Sequence, residues 1–265
     1  MEDYLIKNKD AWNKRTTVHV DSDFYDLNGF LNGKSSLNEI ELALLNEVKD
    51  KRLLHLQCHF GQDTLSLARL GAKCTGIDLS NAAILKAKEL NKQLNLDATF
   101  ICSDLYSYED KIDQKFDLVF TSYGTIGWLP DINKWAKLIS KALKPNGKII
   151  FVEFHPFIWT MNEALTEIEY PYFNDEAIIE ESTGTYADQT SSIKYTEVSW
   201  NHGLAEVFQA LKNNKIQVED FKEYNYSPYN CFKNLEEVEH GKFQFSKYKG
   251  MIPMVYSLVG KKLEE

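Results

Sequence analysis

The chain is poor in the features that mark membrane proteins and nucleic-acid-binding proteins. No apolar run approaches the ~20 residues that a helix needs to span a bilayer. The 39 acidic residues outnumber the 30 basic ones, for a formal net charge of −9, and no run rich in Lys or Arg compensates for that charge. The sequence therefore argues against a membrane span and against binding to a phosphate backbone.

Cysteine is also scarce. Cys58, Cys74, Cys102 and Cys231 show no CxxC spacing, and three of them lie in or beside predicted buried strands. This pattern predicts reduced thiols rather than disulfides, and it predicts no metal site. Because residues 1–4 are acidic and polar, unlike the start of a secretory signal, we expect a cytoplasmic protein.

The middle of the chain alternates between buried strands and helices. Predicted strands occupy residues 52–57, 73–77, 99–102, 116–121 and 148–154, and predicted helices occupy residues 62–70, 81–95 and 132–143. Gly71 and Ser80 are the expected caps at two helix ends, and residues 144–147 form a predicted turn. Five strands alternating with helices predict an α/β fold with a doubly wound, mostly parallel sheet. We expect residues 51–156 to form this ligand-binding core.

The segments that flank the core are predicted to cover it and complete it. Residues 1–50 are expected to form a helical lid. A helix at 4–15, a mostly irregular stretch at 16–34 and a helix at 37–48 are predicted within it. Ser36 is the expected N-cap of the second of these helices, with Glu39 as its capping-box partner.

Residues 157–200 are predicted to form an inserted β-hairpin cap, with strands at 176–185 and 192–200. Residues 201–265 are expected to complete the core. A helix at 202–213, strands at 215–225 and 251–260 and an irregular stretch at 228–247 are predicted there.

The most informative segment runs from Leu53 to Asp63 and is followed by Asp78. It has the pattern of a strand, a tight turn through Gly61 and the start of a helix, which brings backbone amides and a helix N-terminus close to a ligand. Asp78 ends the next strand, 17 positions after Gly61. Its carboxylate can accept hydrogen bonds from two ribose hydroxyls, so the segment predicts a nucleoside-binding unit.

These residues resemble the class I S-adenosylmethionine-dependent methyltransferases over about residues 50–155, with weaker similarity to residue 260. The first motif of that family reads approximately L-D-L-G-C-G-x-G, and residues 54–61 align with it as LHLQCHFG. His55 replaces the acidic residue, and Gln57 and His59 replace two of the glycines. The strings LQCHFGQD, GTIGWLPD and EFHP are similar to a bacterial subgroup of small-molecule type.

The resemblance implies a seven-stranded Rossmann-like sheet whose last strand is antiparallel, with helices on both faces and an inserted cap. It implies S-adenosyl-L-methionine as the cofactor and a small molecule as the methyl acceptor, attacked at O, N or C. The cofactor-binding residues that it implies are His55, Gln57, His59, Gly61, Asp63, Asp78, Leu79, Ser103, Asp104, Leu105 and Thr121. His55 could instead be a core histidine, and His59 could simply fill the turn.

The acceptor side is less constrained by the sequence. Tyr123 follows the fourth strand and His155 follows the fifth, and these two are the expected catalytic residues, with His155 as the general base. The expected substrate-binding residues are Trp12, Tyr25, Trp128, Glu153, Trp159 and His202. Methyl transfer needs a base only where the attacking atom carries a proton, so positioning alone could suffice.

Two other functions fit parts of the sequence. A binding module that holds S-adenosylmethionine or S-adenosylhomocysteine without turnover would explain the replaced glycines. A nicotinamide oxidoreductase would need G-x-G-x-x-G, and Gln57, His59 and Gln62 occupy those glycine positions. The nicotinamide alternative therefore ranks last.

Overall fold

A seven-stranded sheet forms the centre of the protein. The computed structural model describes residues 3–162, 164–174 and 176–264, so the outermost residues of the predicted lid and C-terminal segment lie outside it. The strands are β1 (Arg52–Leu56), β2 (Lys73–Asp78), β3 (Thr99–Cys102), β4 (Phe116–Ser122), β5 (Leu143–Phe154), β6 (Ile178–Thr183), β7 (Lys194–Ser199), β8 (Ile216–Tyr224), β9 (Leu235–Glu239), β10 (Lys242–Phe245) and β11 (Val255–Lys262). The helices are α1 (Asp3–His19), α2 (Leu27–Leu31), α3 (Glu39–Leu45), α4 (Gln62–Arg69), α5 (Asn81–Gln93), α6 (Leu105–Tyr108), α7 (Ile132–Ala142) and α8 (Leu204–Asn213).

The strand order in the central sheet is β3-β2-β1-β4-β5-β11-β8. Neighbouring strands from β3 to β5 run parallel, whereas β11 is antiparallel to both β5 and β8. The predicted doubly wound, mostly parallel sheet is therefore confirmed. The order reverses between β1 and β4, which opens a crevice at the carboxyl ends of these strands.

Helices cover both faces of the sheet. Successive side chains of each strand point to opposite faces, so each strand packs against helices on both sides. Leu54 of β1 packs in a core cluster with Trp135 of α7 and Leu211 of α8. Its neighbour Leu53 packs with Leu67 of α4 on the opposite face. Such strands are buried on both sides, which explains their continuous apolar runs.

The N-terminal segment is more helical than the sequence predicted. Helix α1 extends to His19, and α2 lies within residues 16–34, which we expected to be mostly irregular. The buried side of α1 includes the polar side chains of Asn8, Arg15 and His19, so it lacks the apolar period by which such a helix is recognised.

The predicted cap at Ser36 is wrong. Helix α3 begins after Asn38, whose backbone amide lies 3.4 Å from the Glu41 carboxylate that accepts its hydrogen bond. The Ser36 hydroxyl instead donates to Asp63, at 2.6 Å. A tertiary hydrogen bond has therefore replaced the local one.

The C-terminal third holds two hairpins outside the central sheet. Strands β6 and β7 pair antiparallel, as predicted. Strands β9 and β10 also pair, around Gly241 with its positive φ of 69°, although this stretch was predicted to be irregular.

The predicted turn at 144–147 is a bulge within β5, where Asn146 has a φ of 63°. Among the described residues, no helix is both long enough and apolar enough to cross a membrane.

Candidate active site

A cleft of about 1450 Å³ lies at the carboxyl ends of β1 to β5. Helix α1 and the β6–β7 hairpin bound it on one side, and residues 228–233 bound it on another. The buried Asn8 side chain joins the helix to the hairpin, because its amide donates to Val198 O at 2.8 Å and accepts from Val198 N at 2.9 Å. The cleft is thus covered by segments distant from one another in sequence.

The turn between β1 and α4 keeps a glycine-like backbone although two glycines of the motif are replaced. Gln57, His59 and Gly61 have φ values of 54°, 49° and 83°, in the left-handed region. This conformation costs a non-glycine residue roughly 1–2 kcal/mol. A Cβ on Gly61 would lie 2.7 Å from the Phe100 ring of β3 and 3.0 Å from the Ala87 Cβ of α5, so the packing around the turn also requires glycine there.

Side-chain contacts hold the two strained residues in place. The Gln57 amide donates to Thr125 O at 2.7 Å, and His59 Nε2 lies 2.9 Å from His19 Nδ1. Gln57 Oε1 and His59 Nδ1 are buried, with no hydrogen-bond partner in the described part of the chain. Both residues line the cleft. Buried polar atoms of this kind are normally paired, so they suit a polar ligand bound at the turn.

Asp78 lies where β2 meets this turn. Its two carboxylate oxygens accept hydrogen bonds from His59 N and Ser80 N, each at 2.8 Å. Burial raises the pKa of Asp78 to about 6, against the effect of the backbone amides that bond to it. A carboxylate has about four acceptor positions, more than these backbone amides occupy, so Asp78 can also accept from a ligand hydroxyl. Asp104, after β3, caps α6 by accepting from Ser107 N at 3.0 Å and also lines the cleft.

Two further acids lie beside the end of β4. Asp63, in the first turn of α4, accepts from the hydroxyls of Ser36 at 2.6 Å and Ser122 at 3.5 Å. Glu41 is fully buried and accepts from the Tyr123 hydroxyl at 2.9 Å. Burial raises the pKa of Asp63 to about 6 and that of Glu41 to about 7, the latter also through the nearby Asp63 charge.

Most of the residues predicted for the site line this cleft. They are Trp12, Tyr25, His55, Gln57, His59, Gly61, Asp63, Asp78, Leu79, Ser103, Asp104, Leu105, Tyr123, Trp128 and Trp159. His55 is nevertheless a buried histidine bonded through Nδ1 to the Thr64 hydroxyl at 2.8 Å, and burial lowers its pKa to about 3. Its contacts favour the alternative of a core residue.

Four predicted residues lie outside the lining of the cleft, and the assignment of His155 as general base needs correction. The Nδ1 atom of His155 accepts from Phe157 N at 3.1 Å, and its Nε2 lies 3.0 Å from the Glu223 carboxylate. The imidazole therefore lies beside β8, outside the lining of the cleft. His202 Nε2 bonds to Leu129 O at 2.7 Å.

Thr121 and Glu153 bond to the loop that follows β4 and do not line the cleft. The Thr121 hydroxyl donates to that of Thr125 at 3.2 Å. The buried Glu153 carboxylate accepts from the backbone amides of Gly124, of Thr125 at 2.7 Å and of Ile126 at 3.2 Å. Glu153 is thus a positioning residue for a loop whose other side lines the cleft.

Sequence reasoning missed a buried cation in the lining of the cleft. The Arg15 guanidinium lies over the rings of Trp12, Trp128 and Tyr195, at 4.9, 5.1 and 4.5 Å from their centroids, and forms an ion pair with Glu197. Nothing in the sequence marks this arginine, because its partners come from three separate segments.

The comparisons with known proteins agree with this architecture. Residues 53–147 match the family model of a methyltransferase domain. An S-adenosylmethionine-dependent methyltransferase from Clostridium acetobutylicum superposes with a TM-score of 0.58 at 17% identity, covering 96% of this chain and 100% of that one. A DhpI–SAH complex superposes with a TM-score of 0.60 at 14% identity over 100% of both chains. The fold is that of the S-adenosylmethionine-dependent methyltransferases.

Sequence relatives of this methyltransferase fold match only in part. A ubiquinone biosynthesis O-methyltransferase from Proteus mirabilis is 26% identical over 136 residues, which are 50% of this chain and 55% of that protein. The chain spans about half the length of the curated relatives it matches. The sequence similarity to these relatives therefore extends over about half of this chain.

Proposed function

We propose that the protein is an S-adenosylmethionine-dependent methyltransferase that acts on a small-molecule acceptor. The observation that carries this proposal is the position of Asp78, whose carboxylate faces the cleft between the β1–α4 turn and the end of β3. In this fold such a carboxylate can bind the ribose hydroxyls of a nucleoside. The methyltransferase-domain match over residues 53–147 supports the same assignment.

The residues around Asp78 suit the remaining parts of the cofactor. The turn through Gly61 allows close approach of its backbone, and the buried Gln57 Oε1 and His59 Nδ1 offer polar contacts. Ser103 and Asp104 line the neighbouring part of the cleft, where the adenine would lie. When bound, S-adenosylmethionine supplies an electrophilic methyl group, which the acceptor's lone pair takes as the carbon–sulfur bond breaks and S-adenosylhomocysteine leaves.

The protein's contribution to the reaction is chiefly placement and exclusion of water. Helix α1 and the β6–β7 hairpin cover the cleft, which suits a small acceptor better than a polymer. Asp63 lies beside the end of β4 and has a pKa of about 6, so it could receive a proton from an acceptor that must lose one. Positioning of the two reactants supplies much of the remaining acceleration.

Two finer proposals accompany this function. We keep the assignment to the bacterial subgroup with the LQCHFGQD variant, because Gln57 and His59 hold the turn through contacts that glycines could not make. We also propose a cytosolic location, since all four cysteines are free thiols. The strained backbone is kept at both positions, which favours a working cofactor site over an inactive module.

The test is the affinity of Asp78→Asn for S-adenosylhomocysteine, measured by titration calorimetry. Hydrogen bonds to charged groups contribute about 1.5–3 kcal/mol each, so the variant should bind at least about tenfold more weakly. Asp97→Asn, in an exposed loop, is the matched control and should bind as the wild type does.

Unchanged affinity in a folded Asp78→Asn variant would overturn the assignment. Production of S-adenosylhomocysteine from S-adenosylmethionine with an acceptor panel then separates an enzyme from a binding module.

A further inference from the structure

An aromatic box lines the part of the cleft beyond the end of β4. Its six members come from four segments and all face the cleft: Phe24, Tyr123, Phe154, Trp159, Tyr229 and Phe232. Ring centroids are 5.1 Å apart for Tyr123–Tyr229, 5.6 Å for Tyr123–Phe154 and 5.0 Å for Phe154–Phe232. Aromatic faces attract a cation within about 6 Å of their centroids. A box of such rings suits a positively charged group.

Asp63 borders this box and provides it with a negative charge. It bonds to Ser122, the residue before Tyr123. Burial raises the pKa of Tyr229 and of Tyr123, the latter also through Glu41, and the Asp63 charge contributes in the same direction to both. Two hydroxyls are its hydrogen-bond partners, and it forms no ion pair with a cation among the described residues. No cation therefore balances the Asp63 charge among the described residues.

The charges elsewhere in the cleft point the same way. Eight acidic side chains line it against three basic ones. Two of these bases already form ion pairs within the protein, Arg15 with Glu197 and Lys34 with Asp26. An anionic acceptor would meet a repulsive field in this cleft, whereas a cationic one would be attracted to it.

We propose that the acceptor carries a cationic amine, which binds in the aromatic box against the Asp63 carboxylate. This inference rests on the proposed function for the neighbouring cofactor site. It assigns Asp63 to the acceptor instead of the cofactor, contrary to the expectation from the motif. The aromatic rings provide shape and cation–π attraction, and the carboxylate provides a charge-assisted hydrogen bond.

The experiment compares three probes of similar shape: phenethylamine, 2-phenylethanol and phenylacetate. Each is titrated calorimetrically into the full chain near pH 8, with and without saturating S-adenosylhomocysteine. We expect the amine to bind at least about tenfold more tightly than the alcohol or the acid. Asp63→Asn should remove at least about tenfold of the amine's affinity and leave the alcohol's unchanged. Glu180→Gln, at another acid of the cleft, is the control for a general effect of charge.

A second variant keeps the inference testable if Asp63→Asn does not fold. Trp159 is 38% exposed, so Trp159→Leu should fold, and it should weaken amine binding more than alcohol binding. Equal binding of amine and alcohol would overturn the inference. So would an Asp63→Asn variant whose loss is in affinity for S-adenosylhomocysteine itself, since Asp63 would then hold the cofactor.

The two proposals fail in different ways. A protein that binds S-adenosylhomocysteine but does not prefer the amine would refute this inference and leave the proposed function standing. A protein that does not bind S-adenosylhomocysteine would refute the proposed function, and the titrations without that ligand would still decide whether the box selects a cation.

Discussion

Glu153 provides the most demanding prediction about how the site is held together. One carboxylate oxygen accepts from Gly124 N and from Phe154 N at 2.7 Å. The other accepts from Thr125 N at 2.7 Å, from the Thr125 hydroxyl at 2.9 Å and from Ile126 N at 3.2 Å. Tyr123, the residue before Gly124 in this loop, has a left-handed backbone with a φ of 46°. This carboxylate therefore fixes a loop whose conformation is strained.

Glu153→Gln keeps the volume of the side chain but replaces one oxygen with an amino group. That group faces hydrogen-bond donors, so at least two buried donors lose their acceptor whichever way the amide turns. Each buried donor left unpaired costs about 1–3 kcal/mol. We expect the free energy of unfolding to fall by about 2–6 kcal/mol.

The assay is urea unfolding of the variant beside Glu47→Gln, at an exposed position. The control should lie within about 0.5 kcal/mol of the wild type. Where Glu153→Gln remains folded, its displaced loop should also raise the KM for the acceptor. A variant as stable as the control would refute the role of Glu153 in holding the loop.

Three further predictions concern the turn and its acids. Gly61→Ala should lower stability and abolish cofactor binding in urea and calorimetric titrations, because its Cβ would meet Phe100 at 2.7 Å. Affinity for S-adenosylhomocysteine should fall about tenfold between pH 8 and pH 5, because Asp78 has a pKa of about 6 and its protonated form cannot accept both ribose bonds; Asp78→Asn should lack this component. Asp63→Asn should be more stable than the wild type at pH 8 but not at pH 4. The folded pKa of Asp63, about 6, exceeds the ordinary value of about 3.9, so the wild type loses stability as pH rises through 6. An Asp63→Asn variant that gains no stability at pH 8 would contradict this.

The sheet was predictable because its signal is local. Strands such as β4 are continuous apolar runs, and each is separated from the next by a helix. Helix α1 was only partly predictable, since its buried side includes Asn8, Arg15 and His19, which bond to partners far away in the sequence. A helix that buries polar side chains lacks the apolar periodicity from which helices are predicted.

The part of the cleft beside β2 and β3 was easier to predict than the part beside β4 and β5. Strand ends in a parallel sheet meet at one edge, which placed Asp78 and Asp104 correctly at the cleft. The same rule does not say which way the last side chains of a strand point. The Glu153 carboxylate bonds to the loop after β4, and the His155 ring lies beside Glu223. Tyr229 reaches the cleft from a segment whose position only the tertiary fold determines.

The most direct test of the central claim is calorimetric titration of the wild-type protein with S-adenosylhomocysteine and, separately, with NADH, the ligand of the nicotinamide alternative. The positions of Asp78, Gly61 and Gln57 predict binding of S-adenosylhomocysteine at about micromolar affinity, near −8 kcal/mol, and no measurable binding of NADH. Binding of NADH without S-adenosylhomocysteine would contradict the account, since the cleft would then serve a nicotinamide cofactor.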